Sequence, residues 1–278
     1  MSAAPSFGAR LTRAVQERGR LCVGIDPHAA LLEQWGLPDD VSGLERFALT
    51  SVEALAPVVS VLKPQSAFYE RFGSQGVAVL ERVIAESRQA GALVLLDVKR
   101  GDIGSTTQAY ADAYLDPASP LASDAITASP YLGFGSLDPM FETARRHGAG
   151  VFVLALTSNP EGSEVQGAVR DGRTVAGAVL DQLRELNRES VGPLGSFGAV
   201  VGATLDQPAE DLDIGGPLLA PGYGAQGGTV ADLRRIFGSA AAAVLPSTSR
   251  EVLRHGPYIT ALRDAALRGN DEVASLGA

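Results

Sequence analysis

The segment Leu93-Val-Leu-Leu-Asp97-Val-Lys99-Arg100-Gly101-Asp102-Ile103-Gly104-Ser105-Thr106 sets a carboxylate, an ammonium and a second carboxylate at the end of an apolar run. Successive strand residues point to opposite faces, so Asp97 and Lys99 are expected to project together. Charges at the end of a buried strand must pair with one another or do chemistry there. A lysine between two carboxylates is held in its protonated form. That suits a general acid and handicaps an imine-forming nucleophile, which needs a neutral amine.

Other apolar runs end in polar residues too. Asp26 closes Gly24-Ile-Asp26, Lys63 closes Val61-Leu-Lys63-Pro64, Ser129 follows Thr127-Ala, and Thr157-Ser-Asn159 ends another run. Each of these can be read as a cap or loop residue, and Ser158 and Asn159 fit that reading as well as the functional one. Lysine is a poor cap, so Lys63 and Lys99 resist it. Pro221-Gly-Tyr-Gly-Ala-Gln226-Gly-Gly-Thr229 and Ser247-Thr-Ser-Arg250 combine glycines, a helix start and an arginine, the parts of an anion cradle. Gly222, Gly224 and Gly227 also match G-x-G-x-x-G, but no acidic residue follows at the distance a dinucleotide site needs. The histidines, His28, His147 and His255, show no metal-ligand spacing. His28 reads as a turn residue, and His147 as a helix C-terminus.

The elements that must position these groups alternate. Strand-type runs cover 21–27, 59–65, 92–99, 125–131, 150–158, 197–204, 217–224 and 243–249. Most are continuously apolar, as parallel strands covered on both faces are. Helical periodicity fills 44–55, 76–89, 106–115, 137–147, 175–188, 230–237 and 251–267, with only about one turn expected near 209–212. Eight such alternations predict a (β/α)₈ barrel, of which 21–267 forms the core, with an extra helix at 7–18 closing its bottom. An open doubly wound sheet is the competing architecture. In a barrel all the polar strand ends open on one face, and the loops after strands seven and eight hold phosphate. No linker or repeat divides the 278 residues, so a single domain is expected. The stretch 158–173 is the candidate lid, and 269–278 carries no assignable role.

A net charge of −9 argues against a nucleic-acid partner. The single cysteine, Cys22, lies in an apolar run, excludes an internal disulfide and reads as a core thiol. No run approaches the ~20 apolar residues of a membrane span. The opening residues lack the apolar core of a signal peptide, and a cytoplasmic location is expected.

The array Asp97-x-Lys99-x-x-Asp102-Ile103-x-x-Thr106 is similar to the signature of the orotidine 5′-phosphate decarboxylase family, in its longer bacterial branch. Gly-Ile-Asp26, Val-Leu-Lys63-Pro, Ser129-Pro, Pro221-Gly through Gln226, and Arg250 extend the resemblance from about Leu21 to Arg254. It implies a homodimer that makes UMP and CO₂ from orotidine monophosphate with neither metal nor organic cofactor. Asp26 and Lys63 would then bind ribose hydroxyls, and Lys63 would also flank the array. Asp97 would face the substrate carboxylate, and Lys99 would deliver the proton. Asp102 and Thr106 would come from the partner subunit. Ser129 would read the pyrimidine, and Gln226 and Arg250 would hold phosphate. The loop after the seventh strand is short, and Ser249 stands where many relatives have glycine. Metal-dependent sugar-phosphate decarboxylases and aldolases of the same barrel superfamily are the alternative, and a non-catalytic phosphate binder is a third.

Overall fold

The computed structural model describes residues 5–190 and 192–276. Ten strands form: β1 Cys22–Ile25, β2 Val61–Pro64, β3 Leu93–Arg100, β4 Ala125–Ala128, β5 Gly150–Leu156, β6 Val169–Arg170, β7 Arg173–Thr174, β8 Phe197–Val201, β9 Leu218–Pro221 and β10 Val244–Thr248. Eight of them, all but β6 and β7, close a parallel barrel in the order β1-β2-β3-β4-β5-β8-β9-β10. β6 and β7 form a small antiparallel hairpin of their own. Each expected strand segment overlaps one barrel strand, and the architecture is the (β/α)₈ barrel.

The helices are α1 Phe7–Arg18, α2 Ala29–Gln34, α3 Val41–Leu55, α4 Ala67–Glu70, α5 Gly73–Gln89, α6 Gly104–Leu115, α7 Asp138–His147, α8 Gly162–Gln166, α9 Val175–Asn187, α10 Val230–Phe237, α11 Arg250–Leu253 and α12 Ile259–Val273. Several start where local chemistry satisfies free backbone N–H groups. The Asp40 carboxylate accepts from the Ser42 and Gly43 amides ahead of α3, and Thr229 and Asp232 close a capping box on α10.

Side chains pack in two layers. Inside the barrel every strand contributes an apolar residue, from Cys22 in β1 to Leu245 in β10. Phe7 and Leu11 of α1 seal this interior from below, with the Phe7 ring edge-on to Phe152 at 5.9 Å. α1 is held there by Arg10, which pairs with buried Asp124. The Cys22 thiol sits in this layer, and burial pushes its pKa up to about 12, so it packs as a neutral apolar group. A larger layer lies between the strands and the surrounding helices.

Three expectations on the elements need correction. No helical turn forms near 209–212; the chain from Gly202 to Pro217 runs without helix or strand. Its mixture of Asp, Pro and Gly offers no apolar stripe to pack. The helix expected over 251–267 is two helices, α11 and α12, separated around Pro257, a residue that cannot continue a helix. The tail beyond 268 is not idle. α12 runs to Val273, and Asn270 accepts from the Leu21 N–H and donates to the Arg18 carbonyl, each at 2.9 Å.

Candidate active site

A cavity of about 500 Å³ opens at the C-terminal ends of the barrel strands. At its floor lies Asp97, 7% exposed, between two ammonium groups. Lys63 Nζ donates to Asp97 Oδ2 at 3.2 Å, and Lys99 Nζ donates to Oδ1 at 2.7 Å. The Thr127 hydroxyl donates to the same Oδ1 at 2.8 Å and accepts from the Lys99 N–H at 2.9 Å. Burial opposes ionisation of Asp97, but both lysine charges and these hydrogen bonds outweigh it and hold its carboxyl far below the usual range. Burial likewise disfavours the Lys63 ammonium, yet Asp97 and Asp26 reverse the effect and keep it charged well above the ordinary lysine range. Lys99 is different in access, with a side chain 46% exposed to the cavity and solvent.

Asp97 and Lys99 meet as expected, but regular alternation does not carry the strand to its end. The β3–β4 register shifts between Leu96 and Arg100, and Lys99 takes a left-handed backbone with φ 46°. Asp26 lies beside the array, buried, and its Oδ1 has no hydrogen-bond partner among the described residues. Such an orphaned acceptor is poised for a ligand hydroxyl.

The opposite end of the cavity is built from the loop 221–229 and the start of α11, where Gln226, Ser249 and Arg250 line the wall. Gly222 and Gly224 adopt φ 101° and 78°, which only glycine accepts without strain, and the loop turns tightly there. α11 is a single turn with little dipole to offer, and the Arg250 guanidinium is the positive charge at this end of the cavity.

Six of the nine candidate residues therefore share one cavity: Asp26, Lys63, Asp97, Lys99, Gln226 and Arg250. Ser129, Asp102 and Thr106 do not line it. The Ser129 N–H donates to the Arg100 carbonyl at 2.8 Å. Asp102 accepts from the Ile103 N–H at 2.8 Å in the turn before α6, and Thr106 is exposed in the first turn of that helix. Around them Ile103, Tyr131 and Leu132 expose large apolar side chains.

A family model described as orotidine 5′-phosphate decarboxylase / HUMPS matches residues 19–265, nearly the whole barrel. The chain belongs to this family. An orotidine 5′-phosphate decarboxylase of a Nocardioides species is 71% identical over 97% of this chain and 99% of that protein. Its namesake in Streptomyces coelicolor is 66% identical over 94% of this chain and 95% of that one. A crystal structure described as an orotidine 5′-phosphate decarboxylase of Streptomyces avermitilis superposes with TM-score 0.97 at 63% identity, over 99% of this chain and 97% of that one. The relatives are carboxy-lyases by name, and this member of the decarboxylase family is an enzyme of that class.

Other residues of this decarboxylase-family cavity went unread in the sequence. Thr127 is the clearest, and its signal was available: it lies two residues before Ser129 in β4, on the face that meets Asp97. His28 lines the wall instead of serving only a turn, with its ring 4.2 Å from that of Phe68. Burial lowers the His28 pKa. Ser158 and Asn159 also reach the cavity, where the sequence left them undecided. They begin the stretch that carries α8 and β6, tied back where Gln166 accepts from the Thr157 N–H at 2.9 Å. Among the described residues no helix is long and apolar enough to cross a membrane.

Proposed function

We propose that this chain removes CO₂ from orotidine monophosphate to give UMP, with Lys99 supplying the proton. The observation that carries the reading is the Lys63–Asp97–Lys99 array, two ammonium groups on one buried carboxylate at the floor of a cavity. Gln226 and Arg250 hold the phosphate, and Asp26 and Lys63 take the ribose hydroxyls. The bond between the ring carbon and the carboxylate breaks, and its electron pair stays on that carbon. The Lys99 ammonium stabilises the developing carbanion and transfers one N–H proton to it, forming C–H; water returns a proton to the amine. Asp97 beside the departing carboxylate raises the energy of the bound substrate, offset by binding at the remote phosphate and ribose. No metal or organic cofactor takes part. Lys63, held as a charged ammonium, is unsuited to imine chemistry.

The purified protein is expected to lower the absorbance on the long-wavelength edge of the orotidine monophosphate band, where UMP absorbs less, as readily in EDTA as without it. A folded protein that leaves the absorbance unchanged would sink the reading. Dependence on a divalent metal, or inactivation by borohydride only in the presence of substrate, would replace it with a sugar-phosphate or aldolase chemistry.

The same reading takes the chain as one cytoplasmic domain acting as a homodimer, in which Asp102 and Thr106 complete the partner's site and 158–173 covers the substrate. It is supported by the placement of Asp102 and Thr106 outside their own cavity, beside exposed Ile103, Tyr131 and Leu132. Lys99→Ala and Asp102→Ala variants are each expected to be nearly inactive alone. Mixed and allowed to exchange subunits, they should recover activity, because one site of each heterodimer regains both residues. No recovery despite exchange would assign Asp102 to its own subunit's site.

A further inference from the structure

The loop 221–229 carries Gln226 to the cavity on a glycine-rich backbone, which loses much freedom when ordered. Its internal hydrogen bonds close a small ring: the Gly224 N–H donates to the Gly228 carbonyl at 2.9 Å, and the Gly228 N–H to the Gly222 carbonyl at 3.1 Å. These bonds set the shape of the turn but leave its position on the barrel open. Tyr223 supplies an external anchor. Its side chain is buried and forms a wall between the catalytic cavity and a second cleft of about 630 Å³ behind the loop. The hydroxyl at its tip donates to Glu272 Oε2 at 2.7 Å. Burial and the adjacent Glu272 carboxylate keep the phenol protonated, so it remains a donor. Glu272 lies on α12, which Asn270 ties in turn to Leu21 and Arg18 at the base of β1. Glu272 does not line the catalytic cavity.

We propose that Tyr223 and Glu272 are a positioning pair that holds the loop after β9 in its phosphate-gripping place before substrate arrives. The inference rests on the reading of Gln226 and Arg250 as phosphate ligands. A loop already ordered spends no binding energy on being ordered. Without the anchor the loop can retreat into the cleft behind it, and capture of the nucleotide weakens while the chemical step does not.

Glu272→Ala is expected to raise KM for orotidine monophosphate about tenfold with kcat unchanged, the loss of one charge-assisted hydrogen bond. Tyr223→Phe should raise KM by a similar factor, and the double variant no further than either alone. Glu272→Gln, whose amide oxygen still accepts, should restore a KM close to that of the parent. UMP affinity measured by calorimetry should follow the same order, whereas uridine, lacking the phosphate, should bind all of them alike. Unchanged KM in Glu272→Ala, a fall in kcat at constant KM, or an equal loss of uridine binding would each overturn the pairing. Absence of turnover by the parent protein would strike the proposed function alone, because the UMP and uridine titrations still read the pair.

Discussion

Replacing Lys99 by alanine is expected to lower turnover of orotidine monophosphate by at least about 10⁴-fold, the combined loss of a positioned acid and of charge stabilisation at the reacting carbon. The fold should survive. Asp97 keeps Lys63 and Thr127 as partners, and the Lys99 side chain is 46% exposed, so its ion pair adds little stability. UMP affinity by calorimetry should stay close to the parent value, since the product lacks the carboxylate and needs no proton. Loss of activity with product binding retained separates a chemical role for Lys99 from a structural one. A variant that keeps a tenth of the parent rate would mean that water supplies the proton, and the proposed mechanism would fall.

Asp97→Asn is expected to do more damage to the fold than any change at Lys99. Asparagine preserves the shape and can accept from Thr127, but it takes from the Lys63 ammonium, 6% exposed, the carboxylate it is hydrogen-bonded to and leaves only the Asp26 charge nearby. Breaking such a pair by removing one member costs about 3 kcal/mol, read as a lowered urea midpoint at pH 7. The pH dependence has a definite sign. The Asp97 carboxyl is held below its ordinary range, so its contribution is whole above about pH 4 and is lost as the pH falls through the depressed value. Lys63 is held above its range, so its contribution is whole below about pH 10 and is lost as the pH rises through the elevated value. The gap between parent and Asp97→Asn should therefore be constant from about pH 5 to 9 and narrow in acid. A gap that widens in acid would show that Asp97 is not the group holding the pair together. Catalysis should weaken as well, because the amide oxygen left for Lys99 lacks the negative charge that holds the ammonium in place.

The barrel was legible because its strands are buried on both faces and therefore read as unbroken apolar runs, as in Leu93–Leu96 and Gly150–Leu156. Polar residues at the ends of such runs stand out, and that contrast exposed Asp26, Lys63, Asp97 and Lys99 together. The break between α11 and α12 was hidden by apolar periodicity that continues past it, although Gly256-Pro257 marked the place. Thr127 was overlooked because threonine is an ordinary strand residue, and only its two hydrogen bonds reveal its part. The Tyr223–Glu272 contact spans 49 positions of chain and leaves no local trace at all. Asp102 and Thr106 sit in a recognisable motif, yet no periodicity says which cavity they face.

Lys99 sits on a backbone at φ 46°, a conformation that glycine accepts freely and that costs a lysine on the order of 1 kcal/mol. An engineer hunting for thermal robustness would find position 99 among the most inviting in the molecule, since glycine there would relax the chain and disturb no buried apolar packing. Any gain in robustness would erase the residue proposed as the proton donor. Under the proposed mechanism, resistance to heat and catalytic competence pull against each other at one residue, and a stabilised descendant of this protein must find its improvements elsewhere in the barrel.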